Sequence, residues 1–349
     1  MWRPSRTPNG PSRRVTSKDC SGAVLAISAA LRAWPRRTAR TSTTSFGERA
    51  SIRATSAAKP NTGQTDSPAN VGNAAVVRVG IVQVCSNDNL NANLENAEKG
   101  VLEAAARGAS FIALPENFAY MRREGTAFPC AQQPDGEILK ALSEWSLRHR
   151  VWLLGGTFPE AIEGDSRVYN TSVLFSPDGE LVARYRKIHL FDASLGPDGS
   201  DSYRESTHFK PGDEIASAET PFGVVGLSVC YDLRFPELYR ALVEREARWL
   251  MVPSAFARET GKDHWEVLLR ARAIESQCFV VAPAQCGHHS ADRSSYGRSL
   301  IIDPWGLVVA QAADEPCVLV ADCRTQDIDR VRGAIPALSH RRLPSATAI

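Results

Sequence analysis

Cys230 stands at the seam between an apolar run, Gly223-Val224-Val225-Gly226-Leu227-Ser228-Val229, and a polar stretch, Tyr231-Asp232-Leu233-Arg234-Phe235-Pro236-Glu237. The run is β-branched and glycine-punctuated and reads as a buried strand, while the polar stretch reads as a helix start. A thiol at a strand end, followed by a sharp turn, has its sulfur held outward. The next backbone N–H, that of Tyr231, can then face a reacting oxygen, which is what a nucleophile with its own oxyanion donor needs. The plainer reading is that a buried cysteine is a small core hydrophobe.

Two other apolar runs end on a charged residue. Phe111-Ile112-Ala113-Leu114-Pro115 leads to Glu116, and the alternating stretch Leu181–Phe191 carries Lys187. A thiol is a weak nucleophile at its ordinary pKa of about 8.5, so a base or a cation must favour thiolate. A partly buried Glu can accept the proton and return it to a leaving amine. A nearby Lys can stabilise thiolate and the tetrahedral oxyanion. The three types together suffice for amide hydrolysis. Taken singly, Glu116 reads as a solvated carboxylate and Lys187 as a solvent-face strand residue. His189 and His264 keep a cysteine–histidine enzyme arithmetically open.

Positioning these groups falls to strands that alternate with amphipathic helices from about residue 75 onward. Strands are expected at Val77–Val84, Phe111–Leu114, Val151–Thr157, Tyr169–Phe175, Leu181–Arg186, Trp249–Val252 and Phe279–Ala284. Helical spacing marks Leu94–Arg107, Ile138–His149, Phe235–Arg245 and His264–Ser276. Ser176-Pro177-Asp178-Gly179 and Pro304-Trp305-Gly306 suit hairpin turns, the second joining Leu300–Asp303 to Leu307–Ala310. Strands buried on both faces with helices between them predict one α/β domain over residues 74–343. Its expected form is an αββα sandwich, two packed β-sheets flanked by helices.

In order along the chain come Leu114-Pro115-Glu116, then Arg186-Lys187-Ile188-His189-Leu190-Phe191-Asp192, then Cys230–Glu237. That order resembles the nitrilase (carbon–nitrogen hydrolase) superfamily, and the likeness runs from about Val76 to about Arg342. His264–Glu275, Ala284-Gln285-Cys286-Gly287, Ser295-Tyr296-Gly297 and Ile302–Gly306 resemble its deaminated glutathione amidase branch. The resemblance implies that Glu116 is the general base, Lys187 the stabilising lysine and Cys230 the nucleophile. It further implies that Glu205, in Tyr203-Arg204-Glu205-Ser206, positions Lys187 and the substrate. The preceding loop Asp192–Ser202 is slightly longer than the family's form, and the plain reading of Glu205 is a solvated loop carboxylate. Also implied are a thioester mechanism without metal or organic cofactor, a small-molecule amide substrate, and a homodimer or higher homo-oligomer. A sister branch, ω-amidases acting on α-ketoglutaramate-like substrates, is the alternative.

Deaminated glutathione is an α-keto acid amide of cysteinylglycine, so that substrate calls for cations that meet carboxylates. Arg234 either faces such a carboxylate or pairs with Glu237 on a helix surface. His264 and Trp265 either line the pocket wall or, for Trp265, fill the core. His288-His289 reads as solvated loop, because adjacent histidines point apart and lack further metal ligands nearby.

Residues 1–60 carry twelve Lys/Arg against two acids, leaving 29 basic and 37 acidic groups and a net charge of about −8 elsewhere. This Arg-, Ser-, Thr- and Ala-rich leader, with its linker to residue 73, looks like an organellar transit peptide, for the mitochondrial matrix or another organelle. A disordered tail on a cytoplasmic protein, or upstream sequence wrongly joined to the gene, is the alternative. Residues 344–349 read as a tail. The acidic body argues against nucleic acid as partner, and Ala23–Leu31 is too short to span a bilayer. Eight scattered cysteines without Cys-x-x-Cys spacing read as reduced thiols.

Overall fold

The computed structural model describes residues 76–343, apart from 124, 125, 127, 134, 196–200 and 292. The expected leader and linker (1–73) and the tail (344–349) lie outside the described residues. The first half of the body runs β1 (Val76–Gln83), α1 (Leu90–Ala106), β2 (Phe111–Ala113), α2 (Glu137–His149), β3 (Trp152–Ala161), β4 (Val168–Phe175) and β5 (Leu181–Arg186). A ribbon, β6 (Asp192–Leu195) with β7 (Asp201–Arg204), follows. The second half runs β8 (Ser217–Ala218), β9 (Val224–Leu227), α3 (Pro236–Glu244), β10 (Ala247–Met251), α4 (Arg258–Ser276) and β11 (Phe279–Ala282). A second ribbon, β12 (Cys286–Ser290) with β13 (Arg293–Tyr296), precedes β14 (Leu300–Ile302), β15 (Val308–Gln311), β16 (Cys317–Arg324) and α5 (Gln326–Ala334).

The strands form two six-stranded sheets, ordered β16-β1-β2-β3-β4-β5 and β15-β14-β11-β10-β9-β8. In each, three central strands are parallel (β1, β2, β3; β9, β10, β11) and the flanking ones antiparallel. Val79, Ile81 and Phe111 of one sheet and Val225, Leu227, Trp249 and Phe279 of the other belong to one buried apolar cluster. Trp249 stacks on Phe279 at 4.7 Å between centroids and meets Phe111 edge-on at 6.3 Å. Its indole N–H donates to the Phe222 carbonyl at 3.1 Å, so the polar handle of this buried ring is satisfied.

Helices cover both outer faces. α1 begins where the Asn89 side chain accepts from the Ala92 N–H at 3.1 Å, an N-cap that satisfies one orphan donor. It buries Ala97, Gly100, Val101 and Ala104, and together with α2 packs Leu142 and Trp145 over Val82 and Ile112. On the second sheet α3, opened by Pro236 in its first turn, and α4 bury Tyr239, Leu242, Leu269 and Ala273. The αββα sandwich expected from the alternation is the architecture observed.

Departures from the expected elements have local causes. α4 starts six residues earlier than the apolar spacing indicates, because its first turns carry charged and glycine residues, with Gly261 against Tyr296. β16 and α5 carry weaker patterns; β16 exists through its pairing with β1, Val76 opposite Arg324 to Gln83 opposite Cys317. His289 is a correction. It is buried in β12 instead of lying in a solvated loop, with Nδ1 2.8 Å from the Ser86 carbonyl and Nε2 2.8 Å from Ser295 Oγ. Burial pushes its pKa down to about 4, so it is a neutral structural histidine.

Candidate active site

The site assembles at the carboxyl ends of strands from both sheets, where parallel strands leave a crevice. β9 stops at Leu227, and a 3₁₀ turn, Cys230–Arg234, follows. Cys230 itself has φ +46°, a left-handed conformation that costs a non-glycine residue about 1–2 kcal/mol and holds its side chain on a sharp elbow. The surroundings over-determine that turn. The Cys230 N–H donates to the Pro253 carbonyl at 3.0 Å. The fully buried Asp232 carboxylate accepts from the Val229 N–H at 2.8 Å, the Tyr185 hydroxyl at 2.8 Å and the His189 N–H at 3.1 Å, and lies 2.7 Å from His189 Nδ1. From α4, the Arg272 guanidinium forks onto the Leu233 carbonyl at 3.1 and 2.7 Å.

Glu116 follows β2 through a second strained turn, with Asn117 at φ +57° and its N–H donating to Thr157 Oγ1 at 2.9 Å. Gly156, at φ +50°, passes so close that a Cβ there would lie 2.0 Å from the Pro115 carbonyl oxygen. Only glycine fits that position. Lys187 is the residue after β5, not a member of its alternation, and this explains why the expected solvent-face placement does not hold. Its N–H donates to the Asn170 carbonyl at 2.9 Å and its side chain turns inward, 2% exposed.

There the ammonium meets two carboxylates. Lys187 Nζ lies 3.1 Å from Glu116 Oε1 and 2.9 Å from each oxygen of Glu205. Glu116 also accepts from Asn170 Nδ2 at 2.8 Å and from the Ala255 N–H at 2.7 Å. Glu205 accepts from the Phe191 N–H at 2.6 Å, so it is a held carboxylate and not a solvated one. Burial alone would raise the Glu116 pKa, but the Lys187 charge, the Ala255 N–H and the Cys230 thiol outweigh it and hold the carboxyl below its usual range. Desolvation opposes the Lys187 charge, and the two glutamates overcome it and push its pKa up. Burial and the Glu116 charge push the Cys230 thiol well above its ordinary value, against the pull of Lys187. The resting arrangement is therefore thiol, carboxylate and ammonium. A thiolate held by a cation at rest, which the residue types alone suggest, is not what these surroundings favour.

Glu116, Lys187, Glu205 and Cys230 line one cleft, open to solvent. Phe128, Phe191, Tyr203 and Phe209 supply an apolar wall, and Arg122, Arg204 and Arg293 bring cations to it. Of the other expected residues, Tyr231 is the second residue of the 3₁₀ turn and packs its ring on Phe191 at 5.0 Å and Phe235 at 5.3 Å. Tyr231, Arg234, His264 and Trp265 are not among the cleft-lining residues. Arg234 lies 3.3 Å from His264 Nδ1 and over the Phe256 ring, in place of either a carboxylate-facing or a Glu237-paired position. Trp265 is fully buried and donates to the Arg298 carbonyl at 2.8 Å, the core reading of that residue.

Sequence reasoning missed Asn170, Asp232 and the three cleft arginines. Asp232 carried a signal, since a carboxylate three residues beyond Val229 is placed to accept that residue's N–H in a turn. Arg122, Arg204 and Arg293 come from three separate loops or strand ends and carried none.

The chain matches the family described as carbon-nitrogen hydrolase over residues 78–333. It is 42% identical over 263 residues to the deaminated glutathione amidase of Synechocystis sp. (strain PCC 6803 / GT-S), covering 74% of this chain and 96% of that one. The Homo sapiens protein of the same name is 40% identical over 269 residues, covering 76% and 82%. Among solved structures, the C. elegans NitFhit protein superposes with TM-score 0.70 at 36% identity, over 77% of this chain and 66% of that one. Saccharomyces cerevisiae Nit3, a member of branch 10 of the nitrilase superfamily, superposes with TM-score 0.67 at 29% identity, covering 77% and 97%.

Proposed function

The chain belongs to the carbon–nitrogen hydrolase family and is an enzyme that hydrolyses amides; from that premise we propose that its substrate is deaminated glutathione, cleaved to 2-oxoglutarate and cysteinylglycine. Supporting this are the name shared by its relatives and a cleft that sets a thiol beside a Glu–Lys–Glu cluster and brings up three arginines. The observation that carries the chemistry is the convergence of Glu116, Lys187 and Cys230 from distant strands on that one cleft.

In the proposed cycle the Cys230 sulfur attacks the amide carbonyl as Glu116 takes the thiol proton. The Lys187 ammonium and the Tyr231 backbone N–H hold the oxyanion. Glu116 returns the proton to the departing amine as the C–N bond breaks, leaving a thioester. Glu116 then activates water, whose attack breaks the C–S bond and restores the thiol. Glu205 holds Lys187 in place. The arginines face the substrate carboxylates, which fits a dianionic keto-acid amide.

The α-ketoglutaramate alternative uses the same chemistry on a smaller amide; Phe235-Pro236-Glu237 and Ala284–Gly287 resemble the glutathione-linked branch more. Turnover of the two keto-amides by the purified protein decides between them. A kcat/KM higher for deaminated glutathione is expected, and preference for ketoglutaramate overturns the substrate. Mass spectrometry of enzyme mixed with a slow amide should find the acyl group on Cys230; an acyl group elsewhere overturns the mechanism.

Two coarser readings accompany it. The basic, acid-poor residues 1–60 support import into the mitochondrial matrix or another organelle. A tagged full chain that stays diffuse in the cytoplasm overturns that. Exposed Val267, Ile274, Trp305 and Leu307 around α4 and the β14–β15 turn support a homodimer or larger homo-oligomer. Sedimentation as a monomer at micromolar concentration overturns it. No helix among the described residues is long and apolar enough to cross a membrane.

A further inference from the structure

Asn170 touches all three polar arms of the site. Its Nδ2 lies 2.8 Å from Glu116 Oε1 and 3.4 Å from Glu205 Oε1, and its main-chain carbonyl accepts the Lys187 N–H at 2.9 Å. It sits in β4, 1% exposed, and its Oδ1 is buried without a partner. A buried amide that leaves one polar atom unsatisfied gives up stability of the order of a lost hydrogen bond. The orientation that incurs this cost is the one that aims the amide's donors at the two carboxylates.

We propose that Asn170 is a positioning residue that sets the proton affinity of Glu116. The inference rests on the reading of Glu116 as the base. Two carboxylates around a single ammonium repel one another, and a second ammonium in the amide's place would hold both in the ionised form for good. A neutral donor does neither. Its N–H bond to Glu116 favours the ionised form, so the base stays deprotonated beside a thiol it must deprotonate. Because the bond is to a neutral amide, Glu116 can still take up a proton when the sulfur attacks.

The sign of the effect follows. Removing the amide donor removes a bond made to the charged form, so Glu116 gains a proton more readily and the acid limb of activity moves to higher pH. A residue that only supported the fold would lower activity at every pH without moving the limb. Asn170→Asp is nearly isosteric and adds a third carboxylate, so it should move the limb the same way and further.

The test measures kcat/KM for deaminated glutathione, and the rate of Cys230 alkylation by iodoacetamide, from pH 4 to 9 on the full chain. Wild type, Asn170→Ala, Asn170→Asp and Glu116→Gln are compared. The expected result is an acid limb raised by about one pH unit in Asn170→Ala and by more in Asn170→Asp. Alkylation needs no amide substrate, so it reads the base even where the substrate assignment is wrong. A limb unmoved in Asn170→Asp, in a sample whose melting transition shows it folded, overturns the role of Asn170. Glu116→Gln retaining wild-type alkylation and turnover overturns the underlying assignment of the base instead.

Discussion

Lys187 Nζ lies 3.1 Å from Glu116 Oε1, and both side chains are almost wholly buried, 2% and 3% exposed. Neither charge is tolerable there alone. Replacing Lys187 with Met leaves Glu116 and Glu205 facing each other without a counter-charge. The expected cost is about 3–5 kcal/mol of stability, together with a loss of 10²–10³-fold or more in kcat as the oxyanion loses its cation. Urea unfolding and steady-state kinetics check it; a variant with an unchanged midpoint would mean that the pair does not carry the charge balance.

The same pair fixes a pH dependence. Glu116 has its folded pKa depressed, so its contribution to stability is present above the unfolded carboxylate pKa of about 4.3. That contribution is lost as pH falls through the lower folded value. Lys187 is raised, so its contribution is complete below about 10.4 and fades only as pH climbs through the still higher folded value. Stability from this cluster should therefore be level across neutral pH and fall in acid. Urea midpoints measured from pH 3 to 9 report it, and a maximum in acid would contradict the assigned charges.

Asp232 makes a separate prediction, because it touches no substrate-facing atom in the cleft. It holds the Cys230 elbow by its bonds to Val229, Tyr185 and His189. Asp232→Ala leaves those donors unpaired in the core and should cost more than about 3 kcal/mol, with activity lost as Cys230 relaxes from its left-handed backbone. Tyr185→Phe removes one bond and should cost about 1 kcal/mol with a smaller fall in kcat. Similar losses from the two substitutions would show that the elbow does not depend on Asp232.

The three residues that sequence patterning brings forward share one property: each stands just beyond a strand terminus. Glu116 follows β2, Cys230 follows β9 and Lys187 follows β5. Local pattern reveals such ends, because the change from apolar to polar marks where the chain leaves the core. Asn170 escaped because it sits inside β4, where an alternating polar residue reads as solvent-facing. Its face is in fact closed by residues 54 and 35 positions away in the chain. Glu205 was legible only through a family resemblance, since its hold on Lys187 is made across a loop. Arg234 misled for a related reason. Nearness in sequence to the nucleophile suggested the cleft, while the 3₁₀ turn carried the side chain toward α4 and His264. The two-sheet architecture was easier to read than β16, whose existence depends on a partner strand more than 200 residues away.

Gly156 offers the sharpest separation of site geometry from general stability. Its positive φ and the 2.0 Å approach to the Pro115 oxygen leave no room for a methyl group. Gly156→Ala must displace the Pro115–Asn117 turn or distort β3, at a cost of about 2–3 kcal/mol. Because Glu116 rides on that turn, the shift of about 1 Å needed to relieve the contact loosens its bonds to Lys187, Asn170 and the Ala255 N–H together. Activity should then fall by more than 10²-fold at temperatures where the variant remains folded. By contrast, Gly100→Ala, which crowds Val82 on the far side of the sheet, should lower the melting temperature without a comparable fall in kcat. Thermal melts and initial rates on the two variants settle it: equal losses of activity per degree of lost stability would show that the turn bearing Glu116 has no special sensitivity.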